Sequence, residues 1–180
     1  MENSELEKLQ YPIGKYKAPD DYSTEYIKEA ISQIASFPEK LKQEVTHLNE
    51  EQLDTPYRKD GWTIRQVIHH CGDSHMNCYI RLKWALTEKI PTIKYYYEDR
   101  WSLLEDNLTM PIQASLLLLE GLHYRLAYLM KNLKTIDLQK SFIHPEHNKE
   151  IQIQELIGLY AWHGNHHLGH ITELKKRKDW

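Results

Sequence analysis

Four of the chain's eleven histidines, His163, His166, His167 and His170, fall within eight residues of the stretch LIGLYAWHGNHHLGHITEL, Leu156 to Leu174. At about 100° per residue, His163, His167 and His170 share one narrow stripe of a helix, with His166 at its edge. The same stripe carries Leu156, Leu159, Tyr160, Ile171 and Leu174, the apolar face that a helix turns toward a core. Imidazoles placed there need hydrogen-bond partners or a metal, because an unsatisfied polar nitrogen in an apolar interior costs about 1–3 kcal/mol. His163 and His167 form an H-x-x-x-H pair whose side chains leave one helix face about 6 Å apart, a spacing from which two imidazoles converge on one ion at about 2.0–2.1 Å. Zinc enzymes commonly use three protein ligands and leave the fourth position open, so a third ligand is expected from another helix. Gly164 stands where a zincin would carry its glutamate, which excludes the H-E-x-x-H metalloproteases.

The elements that must position these histidines are helical. A helix from Thr63 to near Thr87 starts with Thr63 as cap and Gln66 as its reciprocal partner, and Trp62 and Val67 supply a hydrophobic staple. It offers His69, His70, Asp73 and His75, and periodicity alone leaves His69 and His70 even as the inward one. Before it, Ile27, Ile31, Ile34, Leu41, Val45 and Leu48 trace one side of a helix from Ser23 to about His47. Pro38 interrupts that helix, and Ser36 with Glu39 offers a restart; one long kinked helix is expected. A third helix follows Pro111 and carries Leu116, Leu119, Leu122, Leu126, Leu129 and Leu133; the last begins near Ile153. Residues 1 to 22 read as an extended arm packed on the bundle, and Thr135 to Glu150 as a linker. The segment KIPTIKYYYEDRW, 89–101, is a loop that either packs its rings on the bundle edge or lies as a lid beside a pocket. With no strand alternation, the expected fold is an all-α four-helix bundle over residues 23–180 in a single domain.

The totals exclude several classes of function. Lys plus Arg number 23 and Asp plus Glu 26, a net charge of −3 that gives no reason to expect nucleic acid or an anionic membrane as partner. No apolar run reaches the roughly 20 residues that span a bilayer, and MENSELEKLQ lacks the features of a signal peptide, so a cytoplasmic protein is expected. Cys71 and Cys78, seven residues apart on a helix, would lie about 10 Å from each other, beyond disulfide reach, and read as core thiols. Lys175 to Lys178 read as a helix C-terminus, where cations oppose the macrodipole.

Three segments together carry a resemblance: YPIGKY (Tyr11 to Tyr16), LDTPYRKDGWTIRQVIHHCGDSHMN (Leu53 to Asn77) and GLYAWHGNHHLGHITEL (Gly158 to Leu174). The chain resembles the DinB/YfiT-like family of metal-dependent hydrolases over nearly its whole length. The resemblance implies a four-helix bundle holding one divalent ion per chain, Zn²⁺ or another such as Ni²⁺, through His70, His163 and His167. It thus chooses His70 over His69 and leaves His166 and His170 as supporting or cavity-lining groups. Asn165 stands where relatives carry a further histidine. The implied activity is hydrolysis, with the open position used to activate water; Asp73 is a candidate base or hydrogen-bond acceptor for the site. Some relatives are thiol S-transferases, so transfer of a low-molecular-weight thiol such as bacillithiol is the alternative, and a non-catalytic metal-binding stress protein the second. Partners are expected to be a small-molecule substrate and a second copy of the chain in a homodimer. Unperturbed imidazoles would lose metal as pH falls below about 6.5.

Overall fold

A computed structural model describes residues 3–146 and 148–180; Met1 and Glu2 of the expected arm and His147 of the expected linker lie outside the described residues. In chain order come α1 (Asn3–Gln10), α2 (Thr24–Val45), α3 (Glu50–Leu53), α4 (Ile64–Thr87), α5 (Glu98–Trp101) and α6 (Glu105–Thr109). They are followed by α7 (Gln113–Lys131), α8 (Thr135–Leu138), β1 (Ser141–His144), β2 (Lys149–Gln152) and α9 (Ile153–Lys178). The bundle is made by α2, α4, α7 and α9. The capping box at Thr63 and Gln66 forms as expected and fixes the start of α4. Helix α2 continues unbroken through Pro38; Ser36 donates to the Gln33 carbonyl at 3.2 Å and caps nothing.

The four long helices are not joined as an up-and-down bundle. Asn165 meets Gln33 at 2.8 Å and Lys175 meets Glu44 at 2.6 Å, so numbering rises together along α2 and α9, which run parallel. His69 meets Ser115 at 2.7 Å and His75 meets His123 at 2.6 Å, so α4 and α7 are parallel too. The main contacts are α2 with α7 and α9, and α4 with α7 and α9, which sets α2 diagonally opposite α4. Because α4 and α7 point the same way, the chain leaving α4 must return along its whole length, about 36 Å for 24 residues. Residues 88–112 make that return, carrying α5 and α6.

Two expectations need correction. The arm is not extended throughout: Asn3–Gln10 form α1, whose Leu6 and Leu9 are half-buried and whose Glu and Lys side chains favour a helix. Two leucines are too few to reveal a period. Tyr11 N–H closes the helix on the Glu7 carbonyl at 2.9 Å, and Pro12 then prevents its continuation. The Thr135–Glu150 linker contains α8 and an antiparallel hairpin, β1 with β2, in the register Phe142 to Ile151. Four-residue strands with one deeply buried ring, Phe142, are too short for alternation to register. The hairpin pins the returning segment: Ile143 N–H donates to the Pro91 carbonyl at 2.9 Å and Ile93 N–H to the Ile143 carbonyl at 3.1 Å.

The apolar core divides into two clusters. One contains Ile27, Ile31, Leu82, Leu126, Phe142 and Leu156. The other contains Leu41, Val45, Ile64, Ile68, Leu119 and Leu174. The four histidines of α9 and His75 of α4 lie between the two along their helices, with His69 and His70 at the border of the second. Cys71 and Cys78 are free and buried, and burial pushes both thiols up. No helix among the described residues is long and apolar enough to cross a membrane.

Phe37, 2 % exposed, bridges clusters and histidines, with its ring 5.3 Å from that of His75 and 5.4 Å from that of His123. Gly164 leaves room for the ring, since a Cβ there would stand 3.0 Å from it. Phe37→Ala is expected to lower unfolding free energy by about 3–5 kcal/mol in urea titrations. A loss below about 1 kcal/mol would show that the ring is not packed as described.

Candidate metal centre

Helix α4 presents His70 toward α9, and α9 presents His163 and His167 toward α4; the ligating atoms of the three lie within 4.8 Å of one another. His70 Nε2 and His163 Nε2 are 3.3 Å apart. Two imidazole nitrogens bound tetrahedrally at about 2.0–2.1 Å stand about 3.3–3.4 Å from each other, so this separation suits a shared ion. Burial first, then repulsion from neighbouring imidazoles, lowers His70 to about 3 and holds His163 and His167 well below the ordinary histidine range. Three neutral nitrogens are the form that binds a borderline divalent metal, so the donor set fits one.

His69 and His70, which periodicity left even, point to different neighbours. His69 spends both nitrogens on structure, Nδ1 on Ser115 Oγ at 2.7 Å and Nε2 on the Met110 carbonyl at 3.0 Å, which ties α4 to α7 and to the end of the returning segment. His166, His167 and His170 form a second group of adequate spacing that shares His167 with the first. Its members all come from one helix, and His170 Nε2 is engaged by the Gln10 carbonyl at 3.0 Å. His170 also stacks on Tyr57, centroids 4.0 Å apart, while His166 stacks on Trp162 at 4.5 Å with its Nδ1 unpartnered among the described residues. The arm therefore reaches the site through Gln10. Gly169 lets it approach, since a Cβ there would stand 3.0 Å from Pro12. Asn165 bonds Gln33 and takes no part in the cavity wall.

A cavity of about 360 Å³ opens over His70, His163 and His167. Its walls include Trp62, Tyr96, Tyr160 and Trp162, with Arg81, Glu98 and Glu146 as charged groups. The tyrosine-rich segment is thus both packing and cavity wall: Tyr96 packs on Trp101 at 4.8 Å and faces the pocket, whereas Tyr97 is exposed. Burial raises the Tyr96 phenol to about 12, so it stays a donor at neutral pH. Arg81 is 8 % exposed, its guanidinium lies 5.8 Å from the Tyr96 ring centre, and its Nε has no partner among the described residues.

Asp73, the candidate base, is not on this wall. It accepts from Asn107 Nδ2 at 3.2 Å, and burial raises its pKa. Tyr160 lies on the histidine stripe of α9 and the lid reading of 89–101 covers Tyr96 and Glu98, but no spacing relates these residues to Arg81, because the returning segment and the middle of α4 meet only in three dimensions. His75 and His123 were equally silent as single inward histidines. His123 Nδ1 lies 2.6 Å from the Ile34 carbonyl, His75 Nδ1 lies 2.6 Å from His123 Nε2, and His75 Nε2 lies 3.0 Å from His163 Nδ1.

Residues 33–171 match the DinB superfamily. A relative from Oceanobacillus iheyensis, named "Putative metal-dependent hydrolase", is 52% identical over 170 residues, spanning 94% of this chain and 98% of its own. A Bacillus cereus relative of the same name is 49% identical over 172 residues, spanning 96% and 98%. Among solved structures, YfiT from Bacillus subtilis superposes with a TM-score of 0.94 at 46% identity, over 96% of this chain and 99% of that one. It is described as "a probable metal-dependent hydrolase with an unusual four-helix bundle topology". In sequence and in fold, the chain belongs to the DinB superfamily as a YfiT-like member.

Proposed function

We propose that the chain is a metal-dependent hydrolase of small substrates, with His70, His163 and His167 as the ligands of one divalent ion. The observation that carries this reading is the convergence of three neutral imidazoles from two helices on the floor of an aromatic-walled cavity. An ion held there supplies Lewis-acid polarisation of a carbonyl and a lowered pKa for water. The protein supplies the rest. Trp62, Tyr96, Tyr160 and Trp162 shape the cavity and reduce its water, which strengthens the polar contacts inside. Glu98, which accepts from Tyr95 Oη at 3.3 Å, and Glu146 are the carboxylates on the wall that can take up a proton. Arg81, largely buried and with its Nε unpartnered among the described residues, offers a guanidinium suited to a carboxylate on the substrate. Glu98 on the same wall disfavours a doubly charged phosphate.

Replacing His70, His163 and His167 together by alanine should reduce bound metal from one ion per chain to none, read by elemental analysis; retention of one ion would remove the assignment. Metal-loaded protein should cleave members of an ester and amide panel that the stripped protein leaves intact. Conjugation of a low-molecular-weight thiol to an electrophile, with no cleavage of the panel, would overturn hydrolysis as the reaction. Within the panel, Arg81→Met should raise KM for carboxylate-bearing substrates by about 10-fold or more, leaving neutral ones little changed.

The pH dependence differs from that of unperturbed imidazoles. Protons compete with a metal only below the ligands' pKa in the folded protein, and burial has moved all three far below 6.5. Between pH 7.5 and 5.5, three ordinary imidazoles would lose roughly a thousandfold in affinity. Zinc affinity here should change by less than about 10-fold over that range in competition titrations. The steep loss would show that the ligands titrate as exposed histidines do.

A further inference from the structure

The contacts among His123, His75 and His163 have a direction. The Ile34 carbonyl oxygen can only accept, so His123 presents Nδ1–H to it across 2.6 Å. A neutral imidazole carries one N–H, so His123 Nε2 is a lone pair and the next contact, 2.6 Å, is donated by His75 Nδ1. By the same step His75 Nε2 accepts from His163 Nδ1–H at 3.0 Å. That leaves His163 Nε2 bare, and this is the nitrogen that faces His70. One peptide oxygen in α2 thus decides which nitrogen of a residue on α9 is available, through one histidine on α7 and one on α4. Ile34 is 2 % exposed and His75 and His123 are each 1 % exposed, so no bulk water competes for these bonds.

The oxygen at the end of the line is available for a reason written in the sequence. In an α-helix the carbonyl of residue 34 would accept from the N–H of residue 38, and residue 38 is Pro38, which has none. The helix continues, so the cost of the missing bond is met by His123. A shorter line does the same for the second ligand of α9. The Gln10 carbonyl takes Nε2–H of His170 at 3.0 Å, and His170 Nδ1 then accepts from His167 Nδ1 at 3.4 Å, which bares His167 Nε2.

We propose that Pro38, His123 and His75 are positioning residues for the metal centre: Pro38 vacates the Ile34 carbonyl, and the line of histidines anchored there holds His163 in the tautomer whose Nε2 can coordinate. The proposal rests on the reading of His70, His163 and His167 as ligands. Its effect is to remove the tautomer choice and the ring rotation that an unsupported histidine would give up on binding.

Imidazole ¹⁵N spectra of the metal-free wild type should place the proton on Nδ1 of His123, His75 and His163; a proton on Nε2 of His163 overturns the proposal. His123→Leu should weaken zinc binding by about 10–100-fold and give His163 a mixed tautomer signal. His123→Asn, which keeps a donor and an acceptor, should recover part of the affinity. Pro38→Ala, which gives the Ile34 carbonyl a competing helical donor, should weaken binding less, and should add nothing in the His123→Leu background. Wild-type affinity in His123→Leu, or a Pro38→Ala loss that persists in its absence, overturns it. Where His123→Leu does not fold, the wild-type spectrum and Pro38→Ala still decide. Metal retained by the triple alanine variant would instead sink the ligand reading and leave the proton positions standing.

Discussion

The constraint on which the structure depends is that a neutral imidazole is at once a donor and an acceptor, and in a dry interior both needs must be met by fixed partners. Seven of the described histidines are buried and His163 lies half-buried among them, and they cannot simply be packed like leucines. The solution here is to chain them, each satisfying the next, until the line ends on a main-chain oxygen. Such an oxygen is rare inside a helix because the helix consumes its own carbonyls. Pro38 is what makes one available in α2, and Gln10, at the end of α1, supplies another without a proline because the last carbonyls of any helix are unclaimed.

The helix order serves the same end. With α2 beside both α7 and α9, and α4 beside both as well, every helix has two neighbours and a polar line can visit all four without crossing the diagonal. The parallel run of α4 and α7 obliges residues 88–112 to travel back along the bundle. That return delivers Tyr95, Tyr96 and Glu98 to the mouth of the cavity, where the hairpin fixes them. The wall of the site is therefore a by-product of connectivity as much as of local sequence.

Much of this was legible in the residues. The H-x-x-x-H pair, the capping box at Thr63 and the leucine periods specify three of the four helices and the stripe on which the site lies, because each is a local rule of spacing. The choice between His69 and His70 was not legible by period, since adjacent helix positions at the border of a stripe differ only in which neighbour they meet. Pro38 was visible but ambiguous: a proline in a helical pattern signals a missing donor and says nothing of what replaces it. Arg81, Tyr96 and Glu98 belong to segments that come together only through the crossover, and no spacing rule relates them. The short elements α1 and the hairpin failed for want of length, with too few residues to show a period.

The contacts that define the centre also fix when in folding it can exist. His123 lies 89 residues from Ile34, and His163 lies 88 from His75, so each bond in the line closes a long loop. Contacts of that separation carry the full entropy of closure and form late. Two of the three candidate ligands and the final nitrogen of the line reside on α9, which follows the other three bundle helices in the chain. A chain that has not yet reached α9 holds His70 and His75 without His163 and His167, and so has no preformed three-histidine cluster. Convergence of the three candidate ligands is thereby tied to the joining of α9 to the bundle.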